Sequence, residues 1–206
     1  VSIAEKTVQS NDPVLANYYS NLADTYRSSG KFKKALDVRL KGISILEKVL
    51  EPDHPQIATS YVNLASIYRS MGDYKKALET QQKAIGVYEK TLRADHPFIG
   101  TAYNNLATFY QDNGDLQNAL VAQKKGIDIL SKTPSLDPIA LGASYNTLAG
   151  IYKELKNYGK ALEAQINAID LFDQVLTSDH PYYGTAYNNL ATIYNGLKQY
   201  DKALDA

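Results

Sequence analysis

The 206-residue chain carries 22 basic and 22 acidic residues, which leaves no net charge at neutral pH, and it contains no cysteine. The balanced charge argues against a nucleic-acid partner, because binding to phosphates needs a positive surface, and the lack of cysteine excludes disulfides and thiolate metal sites. No signal peptide and no membrane-spanning run is predicted, so the composition indicates a cytoplasmic protein without membrane association.

The first predicted element, residues 1–11, looks like the end of a helix. Residues 2–6 repeat the pattern of residues 44–48, which lie late in a predicted helix further along the chain. We therefore expect residues 1–11 to complete the second helix of a preceding repeat. A repeat array cut within a unit exposes apolar surface, and this allows copies of the chain to associate end to end.

A leucine with the same neighbours recurs every 42 residues. A tyrosine precedes each leucine by three positions, and a second tyrosine follows it by four. These spacings place the three side chains on one face of an α-helix, which we name helix A of each repeat. The leucines are Leu22, Leu64, Leu106, Leu148 and Leu190. The tyrosines are Tyr19, Tyr26, Tyr61, Tyr68, Tyr103, Tyr110, Tyr145, Tyr152, Tyr187 and Tyr194.

Start and stop signals frame every helix A. A capping residue followed by proline stands before it, at Asp12, His54, His96, Asp137 and His180. A turn follows helix A, through glycine in the first three units, at Gly30, Gly72 and Gly114. A second helix, helix B, is predicted to begin at Phe32, Tyr74, Leu116, Tyr158 and Tyr200.

In chain order, the repeats are predicted at residues 12–53, 54–95, 96–136, 137–179 and, in part, 180–206, and together they form a single array. No β-like alternation appears, so the fold class is all-α. One such hairpin cannot bury its own apolar face, and neighbouring hairpins must therefore stack into an α-solenoid, expected to be a right-handed superhelix.

The segments Leu-Ala-x-x-Tyr, Gly-Asp/Lys-Tyr/Phe-x-x-Ala-Leu and Asp-His-Pro recur from unit to unit and resemble the tetratricopeptide repeat. The resemblance covers nearly the whole chain and is to the 42-residue form found in kinesin light chains. It implies a protein–protein interaction scaffold of the adaptor kind, in which helices A line a concave groove that holds a peptide of a partner. It also implies that asparagines on this face contact the peptide.

Three features depart from that pattern. Lys156 and Lys198 replace the turn glycine, so either these lysines adopt a left-handed conformation or the turn is rebuilt around Asn157 and Gly196. Pro134 replaces a leucine and is predicted to end the third helix B early. Polar residues occupy a mid-helix-B position that is usually aromatic in the family, which puts the packing of that helix in question: Arg39, Gln81, Gln123 and Gln165.

No constellation for catalysis is predicted, and we expect no enzyme activity, no cofactor and no metal site. His54, His96 and His180 occupy one repeat position, so they are too far apart to share an ion and are expected to cap helices. Carboxylates show no convergent pair, and the sequence contains no phosphate-binding glycine loop. The tyrosines could stack on nucleic-acid bases, but core packing and the lack of a basic groove argue against this.

The side of helix A opposite the tyrosines carries short amides and hydroxyls instead of the lysine and glutamate expected of a solvated helix. Such groups can both donate hydrogen bonds to a peptide backbone and accept them from it. The alternative is that they only cap and bridge helices. Basic residues beside them favour an acidic ligand, although the lysine pattern of chaperone-tail binders is absent. The candidate peptide-binding residues are Asn21, Asn63, Asn104, Asn105, Asn146, Asn188, Asn189, Arg27, Arg69 and Lys153.

A second function class stays open beside the peptide-binding scaffold. The array could be a structural or oligomerising module of a larger signalling protein, with no linear peptide ligand. Peptide binding that depends on the asparagines would favour the first function, and concentration-dependent assembly without peptide binding would favour the second.

Overall fold

The computed structural model describes residues 12–133, 137–177 and 179–206. All regular structure in this part of the chain is α-helical, which confirms the predicted fold class. The predicted end of a helix at residues 1–11 and the position of Pro134 lie outside the described residues. The helices are α1 (Pro13–Ser28), α2 (Phe32–Val49), α3 (Pro55–Ser70), α4 (Tyr74–Thr91), α5 (Pro97–Asp112), α6 (Leu116–Ser131), α7 (Pro138–Glu154), α8 (Tyr158–Asp173), α9 (Pro181–Gly196) and α10 (Tyr200–Asp205). None of them is long and apolar enough to cross a bilayer.

Odd-numbered helices are the predicted helices A, and each begins at proline as expected. The residue before each proline accepts a hydrogen bond from the backbone N–H two positions later. The acceptor is Oδ1 of Asp12 at 2.8 Å and Nδ1 of His54 at 3.1 Å, for example. His96, Asp137 and His180 make the same contact. Aspartate and histidine are therefore equivalent caps here, because both place an acceptor over the first turn.

The turn between helices A and B needs one residue with positive φ. Gly30, Gly72 and Gly114 adopt φ of 72°, 77° and 79°. Lys156 and Lys198 adopt φ of 58° and 60° at the equivalent positions. The lysines thus take the left-handed conformation themselves, and the turn is not rebuilt around Asn157 and Gly196.

This strain leads to a stability prediction. We expect Lys156→Gly to raise the free energy of unfolding by about 1 kcal/mol, because a residue with a Cβ is disfavoured at positive φ. Lys156→Ala is the matched control: it removes the same side chain but keeps the Cβ, so we expect no gain. Denaturant titration of the two variants compares them, and equal stabilisation by both would contradict the backbone explanation.

The chain divides into two compact units, Val1–Arg93 and Ala94–Ala206. Unit 1 contains α1–α4 and unit 2 contains α5–α10, and within each unit consecutive helices pair as hairpins. Alanines at close-packed positions, such as Ala65 on α3 and Ala77 on α4, are fully buried, as expected for closely approaching helices. The repeat boundaries given above stay predictions.

The tyrosine faces are not all buried, which corrects part of the expectation. Tyr19 and Tyr152 lie in the core, whereas Tyr187 and Tyr200 are exposed. They lie on α9 and α10, whose main contacts among the described helices are with α7, α8 and each other. Spacing therefore predicts which side chains share a face, and burial also requires a neighbour.

Of the helices B α2, α4, α6 and α8, the last two end earlier in register than the first two. The helix α4 ends at Thr91, and steps of 42 residues from there predict that α6 and α8 end at positions 133 and 175. They end instead at Ser131 and Asp173. The early end of α6 agrees with the prediction made from Pro134. The equally early end of α8 occurs beside Leu176, so proline is not required for it.

Candidate functional site

The candidate peptide-binding residues lie on the helices A of both units. Unit 1 carries Asn21 and Arg27 on α1, and Asn63 and Arg69 on α3. Neighbouring helices A are in contact within each unit, α1 with α3, α5 with α7, and α7 with α9. The candidates of unit 2 are Asn104 and Asn105 on α5, Asn146 and Lys153 on α7, and Asn188 and Asn189 on α9.

Asn104 lies in a hydrogen-bonded junction of three helices. Its Nδ2 donates to Ser144 Oγ at 2.6 Å, and its Oδ1 accepts from Gln123 Nε2 at 3.0 Å. Gln123 Nε2 also donates to the backbone oxygen of Ser144 at 2.9 Å. The Asn104 amide thereby connects α5, α6 and α7.

Asn146 forms the corresponding junction one repeat later. Its Oδ1 accepts from Gln165 Nε2 and from Asn189 Nδ2, both at 3.1 Å. Asn189 Oδ1 in turn accepts from Lys153 Nζ at 3.1 Å, and the same ammonium donates to Thr192 Oγ1 at 3.3 Å. These groups connect α7, α8 and α9, so Asn104, Asn146 and Asn189 bridge helices, as the alternative interpretation expects. Ligand contact by them stays a prediction.

A glycine makes room for the Asn104 junction. A Cβ at Gly126 on α6 would collide with Asn104 Oδ1 and lie 2.9 Å from the backbone oxygen of Gly100. We expect Gly126→Ala to lower the free energy of unfolding by about 1–2 kcal/mol, because the buried amide must move.

Gly86 on α4 provides a matched control in another helix. A Cβ there meets nothing within 4 Å. We expect Gly86→Ala to raise the free energy of unfolding by roughly 0.5–1 kcal/mol through better helix propensity. Thermal or denaturant unfolding distinguishes the two variants, and stabilisation by Gly126→Ala would show that the junction tolerates a side chain.

A second group of candidates forms no such bridges. The side chains of Asn21, Asn63, Asn105 and Asn188 make no hydrogen bond to any other residue in the described part of the chain. Asn21 and Asn188 are exposed, and Asn63 and Asn105 are half-buried. Their donors and acceptors are therefore open to solvent or to a ligand. Of the basic candidates in unit 1, Arg27 is half-buried and Arg69 is exposed.

The polar residues at the mid-helix-B position form a column that lies in the core, between helices B and helices A. Arg39, Gln81, Gln123 and Gln165 are all buried. Each stands four residues after a buried alanine, such as Ala35 before Arg39, which places both on one helix face. This spacing is the signal that could have predicted their burial. The column accordingly packs where the family's aromatic would, which answers the question raised by the sequence.

Arg39 is the charged member of this column. Its Nη2 donates to Asp24 Oδ1 at 2.8 Å and to the backbone oxygen of Ser20 at 3.2 Å. Burial lowers the pKa of the Arg39 guanidinium, and the Asp24 carboxylate opposes that shift. The guanidinium Nε and Nη1 atoms are buried and have no hydrogen-bond partner in the described part of the chain. Arg39 therefore depends on Asp24 for compensation of its charge.

The three histidines cap helices, as described above, and each offers Nδ1 as an acceptor in that role. In residues 12–133, 137–177 and 179–206, no group of three or more histidine, aspartate or glutamate side chains is arranged to hold a metal ion. The arrangement of the site is that of a surface rich in amides, which can exchange hydrogen bonds with another molecule.

Tandem hairpins of this kind, with polar side chains along their first helices, define a helical-repeat protein. The tetratricopeptide repeat model matches residues 14–90, 56–132 and 140–206. The chain therefore belongs to the tetratricopeptide repeat family, which typically serves as a non-enzymatic module for protein–protein interaction. No curated protein matches the chain.

Solved structures share the fold over most of the chain. Nearly identical TPR-like repeats assigned to a kinesin light chain of Podosopora anserina are 26% identical, with 94% of this chain and 92% of that one covered and a TM-score of 0.80. BtubC (BKLC) from P. vanneervenii is 19% identical, with coverage of 94% and 77% and a TM-score of 0.83. The apo form of RapI is 17% identical, with coverage of 92% and 66% and a TM-score of 0.79. The predicted similarity to kinesin light chain repeats is confirmed.

Proposed function

We propose that this protein is a cytoplasmic, adaptor-like scaffold whose helices A bind an extended peptide segment of a partner protein. The observation that carries the proposal is a group of asparagines whose side chains have no hydrogen-bond partner among the described residues: Asn21, Asn63, Asn105 and Asn188. An asparagine side chain offers two donor hydrogens and an acceptor oxygen, which match the C=O and N–H groups of an extended peptide. Such contacts hold a backbone without selecting its side chains.

The bridging amides support this arrangement in unit 2. Asn104 and Asn146 accept hydrogen bonds from Gln123 and Gln165, which lie on helices B. This fixes the spacing between helices A, so that a free amide such as Asn105 is presented on a rigid surface. A pre-ordered surface binds more tightly, because less conformational entropy is lost on association.

Basic side chains refine the expected ligand. Arg27 and Arg69 follow Asn21 and Asn63 by six positions on α1 and α3. Lys153 stands among the amides of unit 2 with neutral oxygens as its partners. An ammonium that is held by neutral groups keeps its charge available. We therefore expect the bound peptide to contain an acidic residue.

A selection experiment tests the proposal. Peptides selected on the whole chain from a random displayed library are measured by fluorescence polarisation against the wild type, Asn63→Ala, Asn105→Ala and the double variant. Loss of one hydrogen bond is worth about 1 kcal/mol, so a variant that removes a contact should bind roughly fivefold more weakly. Because Asn63 and Asn105 lie in different units, the affected variant also identifies the unit that binds the peptide.

The matched control is Asn113→Ala, at the exposed C-cap of α5, away from the helix A face. It should bind like the wild type. Unchanged affinity in both Asn63→Ala and Asn105→Ala, or failure to select any peptide, would refute the proposal.

The alternative is an oligomerising module, and one observation favours it. Val121 on α6 is 67% exposed, whereas the residues in register with it on α2, α4 and α8 are charged: Asp37, Glu79 and Glu163. Exposed apolar side chains of this kind promote association. Under this alternative, sedimentation shows concentration-dependent assembly that Val121→Glu abolishes, and no peptide is selected.

A further inference from the structure

A cavity of about 280 Å³ opens in unit 2 on the tyrosine-bearing face of α7, where α6 and α8 meet it. The cavity is lined on α7 by Tyr145 and Tyr152, whereas the amides of the same helix, such as Asn146, occupy a different face. It is therefore separate from the surface proposed above for peptide binding. Its volume is small for a cofactor and sufficient for a single side chain.

Two ammonium groups converge at this cavity. Lys124 Nζ on α6 and Lys160 Nζ on α8 each lie 5.8 Å from the centre of the Tyr152 ring. Neither ammonium is paired with a carboxylate in the part of the chain that the structure describes. Glu163 also lines the cavity, so its side chains carry one net positive charge.

The repeat pattern changes at this cavity. In the first and third repeats a lysine lies over the first tyrosine of helix A: Lys41 Nζ is 5.8 Å from the Tyr19 ring centre, and Lys125 Nζ is 4.2 Å from that of Tyr103. The residue in register beside Tyr145 is Asn167, which is too short to cover the ring. The Tyr145 ring therefore borders the cavity without a lysine over it.

The second break in the pattern supplies positive charge. Lys124 stands in register with Leu40, Gln82 and Ile166 of the other repeats, so none of those repeats has a cation at this position. Lysines like Lys160, by contrast, recur beside the second tyrosine, as in Lys76 Nζ at 5.5 Å from the Tyr68 ring centre. Two independent substitutions thus leave the Tyr145 ring without a lysine over it and add a cation to the cavity.

We propose that this cavity binds the carboxylate of an acidic side chain from a partner polypeptide. One net positive charge suits a carboxylate better than a doubly charged phosphate. The hydroxyl groups of Tyr145 and Tyr152 form no hydrogen bond to other described residues and can donate to the same oxygens. Leu148 and Ala164 supply an apolar wall for the methylene groups of a glutamate or aspartate.

NMR titration of the ¹⁵N-labelled chain with N-acetyl-glutamate amide tests the proposal. The expected result is a saturable shift of amide signals around Tyr145, Tyr152 and Asn167, with a dissociation constant on the order of millimolar. The neutral analogue N-acetyl-glutamine amide should cause no saturable shift. Lys124→Gln is expected to weaken binding about tenfold through loss of one charge-assisted hydrogen bond.

Two further variants sharpen the test. Asn167→Lys restores the repeat pattern, so it should fill the cavity and abolish binding. Lys76→Gln removes the equivalent ring-facing lysine of unit 1 and should leave binding unchanged. If Asn167→Lys fails to fold, as seen by circular dichroism, Lys124→Gln alone decides the outcome.

Three results would overturn the inference. These are equal shifts with the glutamate and glutamine compounds, binding that survives Lys124→Gln undiminished, and tighter binding of inorganic phosphate than of the glutamate compound. The last result would make the cavity a phosphate site. None of these measurements involves the helix A asparagines, so failure here is independent of the proposed peptide surface.

Discussion

Replacement of Phe172 by alanine is expected to lower the free energy of unfolding by about 3–5 kcal/mol, within the range for deletion of a buried aromatic ring. Phe172 is 1% exposed and lies where α7, α8 and α9 meet. Its ring stacks on Tyr182 at 5.3 Å between centres and meets Tyr183 edge-on at 6.2 Å. A Cβ at Gly142 would lie 2.6 Å from Phe172 Cε1, so the ring already touches the α7 backbone.

The cavity left by Phe172→Ala has no means of closing, because α7 has no side chain at Gly142 to fill it. Denaturant unfolding followed by circular dichroism measures the loss. Phe98→Ala is the matched control, since Phe98 on α5 is 54% exposed and its removal should change stability by less than about 0.5 kcal/mol. Similar effects of the two substitutions would contradict the assignment of Phe172 to the core.

Asp24→Ala is expected to lower the free energy of unfolding by about 2–3 kcal/mol, more than removal of an ordinary surface ion pair, because it leaves the buried Arg39 charge uncompensated. The Arg39 side chain is 1% exposed and that of Asp24 is 46% exposed. Solvent reaches Asp24, which places the expected loss below that of a fully buried pair.

The converse substitution should behave differently. Arg39→Met removes the buried charge and fills the same space, so stability should stay within about 1 kcal/mol of the wild type or rise. In the Arg39→Met background, Asp24→Ala should cost less than about 0.5 kcal/mol, which a double-mutant cycle measures. An undiminished effect of Asp24→Ala in that background would show that the aspartate acts through something other than Arg39.

Much of the fold could be predicted because the same sequence pattern recurs in successive repeats, so each helix signal is seen several times. The caps at His54 and Asp137, and the start of helix B at Tyr74, follow from local spacing alone. The left-handed conformation of Lys156 was one of two alternatives that the sequence left open, because its register with glycine favours that conformation and local propensity opposes it. Exposure of Tyr187 depends on which helices pack nearby, and spacing carries no information about that.

The candidate site was less accessible to sequence reasoning. The face of helix A could be identified, but spacing could not distinguish Asn104, which bridges three helices, from Asn105, which forms no bond within the described chain. That difference depends on Gln123 and Ser144, which lie on other helices. The cavity beside Tyr145 was missed for a related reason: its cations, Lys124 and Lys160, come from different repeats and are brought together only by packing.

The Arg39–Asp24 pair also affects folding, because helices from repeats of similar sequence can pair with the wrong partner helix. Positions in register with Asp24 are Ser66, Thr108, Gly150 and Thr192, none of which carries a negative charge. If α2 were to dock on any helix A other than α1, the guanidinium would be buried with no counter-charge. Swapped hairpins, a common misfolding product of repetitive sequences, are thereby penalised at the first unit. The ion pair, which stands where the other repeats have neutral residues, would thus favour the docking of α2 on α1 over its docking on any other helix A.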